Sequence, residues 1–210
     1  MLAEGASIID VGGESARPGA AGVSPAEEMD RVLPAIEMLQ DYDVVISLDS
    51  SKPDVIAEAT RLGIGLINDV RALQEVGALQ VAAATDLPVC LMHMQGDPAT
   101  MQAMPRYDNV LDEVREFLHA RAGACLAAGI RRENLLLDPG FGFGKTMAHN
   151  VQLLAGLEQL QALGLPLLAG FSRKSMISHL LGGRDVGERL AGSIALAVMA
   201  VERGAWIVRA

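Results

Sequence analysis

Three glycine-bearing segments hold most of the side chains in this chain that could do chemistry. GGESARPG, residues Gly12–Gly19, joins flexible glycines to the cation of Arg17, so an anion could sit there; a tight loop with a solvated arginine accounts for the same residues equally well. DPGFGFGKT, Asp138–Thr146, looks at first like a phosphate loop. That pattern needs a glycine five positions before Gly144, where Pro139 stands, so the reading fails. A carboxylate followed by glycines and phenylalanines suits instead a flat ligand gripped at its edge and covered on its face, with a loop of packed phenylalanines as the competing explanation. FSRKS, Phe171–Ser175, runs from an apolar stretch straight into a helical one. Its amides and the Ser172 hydroxyl could take a carboxylate or phosphate at the positive helix end, with Arg173 and Lys174 adding charge; an ordinary helix start with exposed bases is the alternative.

Asp49 and Asn68 close the apolar runs VVISLD and GLIN. A polar group at a buried position needs partners, supplied either by a ligand or by the protein itself. Met92, in LMHM, reads as core or as the lining of a pocket at a strand end. Histidines number four and are scattered, and Cys90 with His93 falls short of the ligand set of a zinc site, so no protein metal cage is expected.

These groups need elements to hold them. Short Val/Ile/Leu runs alternate with stretches of helical period, predicting strands at Ser7–Val11, Val44–Leu48, Gly65–Asn68, Val89–Met92, Leu135–Asp138, Pro166–Ala169 and Trp206–Arg209. Runs apolar throughout suit parallel strands covered on both faces. Ser24 and Ser51, each just before a proline and an acid, predict helix caps, and Gly63, Gly129, Gly164 and Gly204 predict helix ends. An open doubly wound sheet and a closed barrel both fit the βα series. Polar residues following nearly every strand (Glu14, Asp49, Asn68, His93, Asp138, Ser172, Arg209) favour the barrel, whose active sites are assembled at that end. The expectation is one α/β domain over residues 1–210, a TIM (β/α)8 barrel missing the first strand and the last helix.

Composition removes other classes. A net charge of −9 without a basic block repels a phosphate backbone, so nucleic acid is not expected as a partner. MLAEGASIID lacks the basic and apolar regions of a secretory signal, which predicts a cytoplasmic location. The apolar run Leu190–Val201 is well short of the ~18 residues that suggest a membrane span and reads as a buried helix. Two cysteines, both in apolar or helical stretches, predict packing rather than disulfides.

Taken together, GGESARPG, SLDSSKP, INDVRAL, LMHMQGDP, LLLDPGFGFGKT, GFSRKSMI and the terminal IVR resemble the ordered motifs of bacterial dihydropteroate synthases, the pterin-binding barrel enzymes of folate synthesis. The resemblance implies condensation of 6-hydroxymethyl-7,8-dihydropterin diphosphate with 4-aminobenzoate to dihydropteroate and pyrophosphate, in an enzyme family targeted by sulfonamides. It implies pterin contacts from Asp49, Asn68 and Asp138, with Met92 and Gly170 lining the pocket and Phe143 beside the ring. It further implies that Lys174 touches pterin and shapes the aminobenzoate site, that Ser172 receives the aminobenzoate carboxylate, and that Arg17 and Arg209 balance the departing diphosphate. Mg2+, carried by that diphosphate, and a homodimer complete the implication. The family's N-V-T-P-D-S-F-S-D-G-like segment and its histidine–aspartate pair would lie outside residues 1–210, and Ala16 stands where threonine is usual. A non-catalytic pterin-binding or interaction module derived from the same family is the alternative.

Overall fold

Val, Ile and Leu runs too short for helices become strands, and these pair in parallel. The computed structural model describes residues 1–210 except Pro18 and Ala99. These fall into two compact units, Met1–Met92 with Arg121–Leu135, and His93–Ala120 with Leu136–Ala210.

In the first unit β1 (Ile8–Gly12), α1 (Pro25–Leu39), β2 (Val45–Asp49), α2 (Pro53–Arg61), β3 (Leu66–Asp69), α3 (Ala78–Ala83) and β4 (Val89–Met92) alternate strictly. β1 pairs with β2, β2 with β3 and β3 with β4. β3 and β4 are buried along their whole length, as expected for parallel strands covered on both faces. α4 (Val110–Ala127) follows in the chain, then β5 (Leu135–Asp138).

The second unit continues with α5 (Met147–Ala155), a 3-10 helix at Leu157–Leu163, β6 (Leu167–Gly170), α6 (Ser175–Leu180), α7 (Leu190–Glu202) and β7 (Ala205–Arg209). β5 pairs with β6 and β6 with β7, again parallel. All seven expected strands are present. β4 and β5 have the expected bounds, β7 gains Ala205 at its start, and the others are displaced by a residue, which brings Asp49, Asp69 and Gly170 inside the ladder.

Helix ends follow local chemistry. Ser24 caps α1 by accepting from the Glu27 amide at 3.2 Å, with Pro25 in the first turn. The expected cap from Ser51 does not form: Lys52 is the N-cap of α2, and the Ser51 hydroxyl donates to buried Asp69 instead. Gly63, Gly129, Gly164 and Gly204 all end helices with positive φ, as expected. Cys90 and Cys125 are buried thiols in the core.

α7 corrects an expectation. It buries Ser193, Leu196 and Ala200 and packs on β6 and β7, whereas Leu190, Ile194, Val198 and Val201 form an exposed apolar stripe. A run apolar all round the helix cannot tell which faces will be covered, so its composition overstated burial. Among the described residues no helix is long and apolar enough to cross a membrane.

Candidate active site

Register builds the first cluster. Asp10 lies opposite Ser47, Gly12 opposite Asp49, and Asp49 opposite Asn68. Because side chains alternate along a strand, Asp10, Ser47, Asp49 and Asn68 all point to one face. The Ser47 hydroxyl donates to Asp10 Oδ1 at 2.6 Å, and Asn68 Nδ2 donates to Asp10 Oδ2 at 3.2 Å. Asp10 thereby fixes the Asn68 amide, leaving its carbonyl oxygen oriented on the same face. Sequence reasoning passed over Asp10, although a carboxylate inside the apolar run SIIDV was a signal. Met92, at the end of β4, is buried.

Loops of the same unit are held by ion pairs and turns. The Lys52 ammonium bridges Glu14 and Glu28, and Glu28 is 0% exposed, so the GGESARPG loop is tied to α1 and to the start of α2. Gly13 permits this, since a Cβ there would meet Glu28 Cγ at 2.8 Å. Arg17 lies exposed on that loop. Asp69 accepts from Ser51 and from the amides of Arg71 and Leu73, both at 2.8 Å. These bonds stabilise a turn in which Ala72 and Leu73 have φ of 53° and 57°, unusual for side chains of their kind. Arg121 Nε donates to the Ala72 carbonyl at 2.9 Å and closes the turn. Burial raises the Asp69 carboxyl above its usual range.

The second cluster belongs to the second unit. Asp138 ends β5, is 7% exposed, and accepts from the Gly140 amide at 2.7 Å. Burial pushes its carboxyl up, while Lys174, the Gly140 amide, Lys145 and Arg209 pull it back toward the ionised form. Lys174 Nζ donates to the Phe141 carbonyl at 2.6 Å and sits 4.7 Å above the Phe143 ring. Phe141 itself is core, packed on Phe171 at 4.4 Å, so of the two loop phenylalanines Phe143 is the one partly open to solvent. Gly170 is in register with Arg209, and a Cβ on Gly170 would lie 3.7 Å from Lys174 Nζ.

FSRKS differs from expectation. The Arg173 amide donates to Ser193 Oγ at 3.0 Å and the Lys174 amide to the Phe171 carbonyl at 3.1 Å, so neither waits for an anion. The anion-binding capacity of the segment rests on side chains, Ser172 and Lys174 among them. Lys145 and Thr146, which gave DPGFGFGKT its phosphate-loop look, are also engaged internally. Thr146 caps α5, accepting from the His149 amide at 3.2 Å, and Lys145 is buried.

A cavity of about 530 Å³ in the second unit is lined by Gln102, Met104, Arg106, Gly142, Lys145 and Met176 among others, and by none of the expected substrate residues. Among the described residues no group of three or more His, Cys, Asp or Glu side chains could hold a metal ion. Chemically, the two clusters offer oriented hydrogen-bonding groups and one buried carboxylate amid cations.

Known proteins match this chain along its whole length. The family profile described as pterin binding enzyme covers residues 1–210. Dihydropteroate synthase of Escherichia coli (strain K12) is 56% identical over 212 residues, covering 100% of this chain and 74% of that protein. The crystal structure of Yersinia pestis dihydropteroate synthase with a sulfonamide drug complex has a TM-score of 0.96 at 55% identity, covering 99% of this chain and 76% of that one. The Xanthomonas albilineans enzyme in complex with 7,8-dihydropteroate gives a TM-score of 0.90 at 45% identity, covering 99% and 76%. With these neighbours the in-order parallel βα series is the TIM-barrel fold class, here with seven strands.

Proposed function

This chain belongs to the pterin-binding enzyme family as a dihydropteroate synthase, and we propose how its residues divide the work of that transferase of folate biosynthesis. The reaction joins 6-hydroxymethyl-7,8-dihydropterin diphosphate to 4-aminobenzoate. The bond between the pterin methylene and the diphosphate oxygen breaks, its electron pair leaving with pyrophosphate. The arylamine nitrogen forms the new bond and gives up a proton.

Asp138 carries the reading. A buried carboxylate with one oxygen already receiving the Gly140 amide, and with Lys174, Lys145 and Arg209 favouring its charge, is suited to the paired N–H donors of an aminopyrimidine edge. Asp49 and Asn68 supply further hydrogen bonds to the pterin, and Met92 and Gly170 line its pocket. Phe143 covers the ring, Lys174 reaches both pterin and the aminobenzoate site, and the Ser172 hydroxyl receives the aminobenzoate carboxylate. Arg17 and Arg209 balance charge on the departing diphosphate. Nothing in this scheme requires covalent catalysis, so rate comes from positioning and from stabilising the leaving anion.

A Mg2+ ion brought by the diphosphate would help to stabilise the leaving anion, with Arg17 and Arg209 as the protein's own cations there. Homodimerisation and a cytoplasmic location complete the proposal, the first checked by light scattering of the purified protein.

Asp138→Asn is the test. Replacing one acceptor oxygen by an amide donor removes a charge-assisted bond and adds a repulsive one, expected to cut kcat/KM by about 100-fold or more. Calorimetric titration with the pterin substrate should lose binding in parallel. Normal affinity and turnover would remove Asp138 from the site.

A further inference from the structure

Lys145 is 3% exposed, and none of the ion pairs of the described residues includes it. A buried ammonium is costly unless its donors are satisfied. Here Nζ lies 2.9 Å from His93 Nδ1, 2.9 Å from the Gly140 carbonyl, 3.1 Å from the Phe143 carbonyl and 3.4 Å from the His93 carbonyl. An ammonium has three protons to donate, and the three nearest acceptors take them. His93 can accept because burial, followed by the nearby Lys145 charge, pushes it down to about 3, leaving the imidazole neutral.

The loop around Lys145 is built from its carbonyls. Gly140, Gly142 and Gly144 have φ of 69°, 81° and 57°, and five consecutive carbonyls each receive a side-chain donor. Lys145 reaches Gly140 and Phe143, Lys174 reaches Phe141, Gln102 reaches Gly142 and the Tyr107 hydroxyl reaches Gly144. Gly144 also presses against the Gln95 backbone, where a Cβ would meet the carbonyl oxygen at 2.4 Å. A chain with no regular secondary structure is thus held at every peptide. Lys145 serves two of the five carbonyls and joins them to His93, whose amide donates to the Asp138 carbonyl at 2.9 Å.

We propose that Lys145 is a positioning residue for the condensation: its ammonium, gripped by the Gly140 and Phe143 carbonyls and the His93 imidazole, sets the loop so that Asp138 and Phe143 meet the pterin. The proposal rests on the assignment of Asp138 and Phe143 to the pterin. Lys145 touches no substrate; it acts through the loop backbone, and although burial pulls its amine down to about 7, the protonated form adds positive charge that favours ionised Asp138. Had the side chain only stabilised the fold, its loss would lower the fraction of active enzyme and leave the remaining molecules with ordinary Michaelis constants.

Steady-state kinetics on Lys145→Met, His93→Leu and His93→Gln, beside Asp138→Asn, separates these cases. Lys145→Met should raise the KM for the pterin diphosphate about tenfold or more, with a smaller rise for 4-aminobenzoate. His93→Leu, which removes one acceptor, should move the pterin KM the same way by less, and His93→Gln, whose side-chain oxygen can still accept, should restore most of it. Ethylammonium or propylammonium ions should partly rescue Lys145→Ala. Unchanged pterin KM in both Lys145→Met and His93→Leu, with Asp138→Asn impaired, overturns the proposal alone. Unchanged pterin KM in all of these, Asp138→Asn included, sinks the assignment of Asp138 instead. Should Lys145→Met not fold, the contrast between His93→Leu and His93→Gln decides: equal KM values for the two overturn the proposal.

Discussion

The two polar regions solve burial in opposite ways. In the first unit, carboxylates are answered by side chains and amides: Lys52 bridges Glu14 and Glu28, Ser47 and Asn68 serve Asp10, and Ser51 with two amides serves Asp69. In the second, cations are answered by backbone carbonyls: Lys145 by Gly140 and Phe143, Lys174 by Phe141. The first arrangement gives its carboxylates donors from nearby side chains and amides. The second holds Lys145 by carbonyls and an imidazole and sets it, with Lys174, near one buried carboxylate, Asp138, whose ionised form both favour and whose second oxygen is not bonded to the Gly140 amide. A ligand that brings hydrogen-bond donors to a carboxylate, or an anion to a cation, gains more from the second arrangement than from the first. The difference assigns structural weight to the buried carboxylates Glu28 and Asp69 of the first region, while its Asp49 and Asn68 join the second region in substrate recognition.

Acid is the strongest way to probe the contrast. His93 is held near 3 in the fold, first by burial and then by Lys145, against an ordinary value of 6.5. A histidine whose folded pKa is depressed takes up its proton in the unfolded chain first, so stability is lost as pH falls from about 6.5 toward 3. Fully expressed, that gap at ~1.4 kcal/mol per pH unit approaches 5 kcal/mol. Asp138, raised by burial, works in the other direction over part of the window, so the measurement is the difference between wild type and His93→Gln. Urea melts at pH 7 and pH 5 should show the variant losing less stability than wild type. Equal losses would mean that the Lys145–His93 contact is not buried as described.

Lys52→Met tests the first region next. It strands the buried Glu28 carboxylate without its cation, a change that typically costs about 3–5 kcal/mol. Stability measured by urea titration should fall by that order, while the KM values of the surviving folded enzyme stay near those of wild type. A large rise in pterin KM with little loss of stability would reverse the division of labour between the regions.

What the sequence made legible follows from range. Strands showed because burial on both faces makes them apolar along their length, and β4 and β5 appeared with their bounds intact. Asp49, Asn68 and Asp138 stood out as polar residues closing such runs. Glu28 and Lys145 did not, because a charge within a helix or after a glycine loop ordinarily faces water. Glu28 is matched with Lys52, 24 positions away, and Lys145 with His93, 52 positions away, separations that no local pattern encodes. Ser51 misled for the opposite reason. Its local setting was a good helix cap, and the distant demand of buried Asp69 for a donor prevailed.

Gly13 gives the smallest effect and the narrowest test of how rigidly the first region is held. An added Cβ would sit 2.8 Å from Glu28 Cγ and 3.0 Å from both the Glu28 carbonyl oxygen and Val32 Cγ1. Two of those atoms belong to groups that cannot step aside, since Glu28 is anchored by Lys52 and its carbonyl is part of α1. Gly13→Ala should therefore cost about 1–3 kcal/mol by overpacking. Gly123 provides the contrast: it lies inside α4 with nothing within 4 Å of an added Cβ, so Gly123→Ala should stabilise by roughly 0.5–1 kcal/mol through helix propensity. Thermal melts of the two variants should shift in opposite directions. A Gly13→Ala melt that matches wild type would show that the GGESARPG loop can lift away from α1, and the Lys52–Glu28 pair would then be a consequence of loop position rather than its cause.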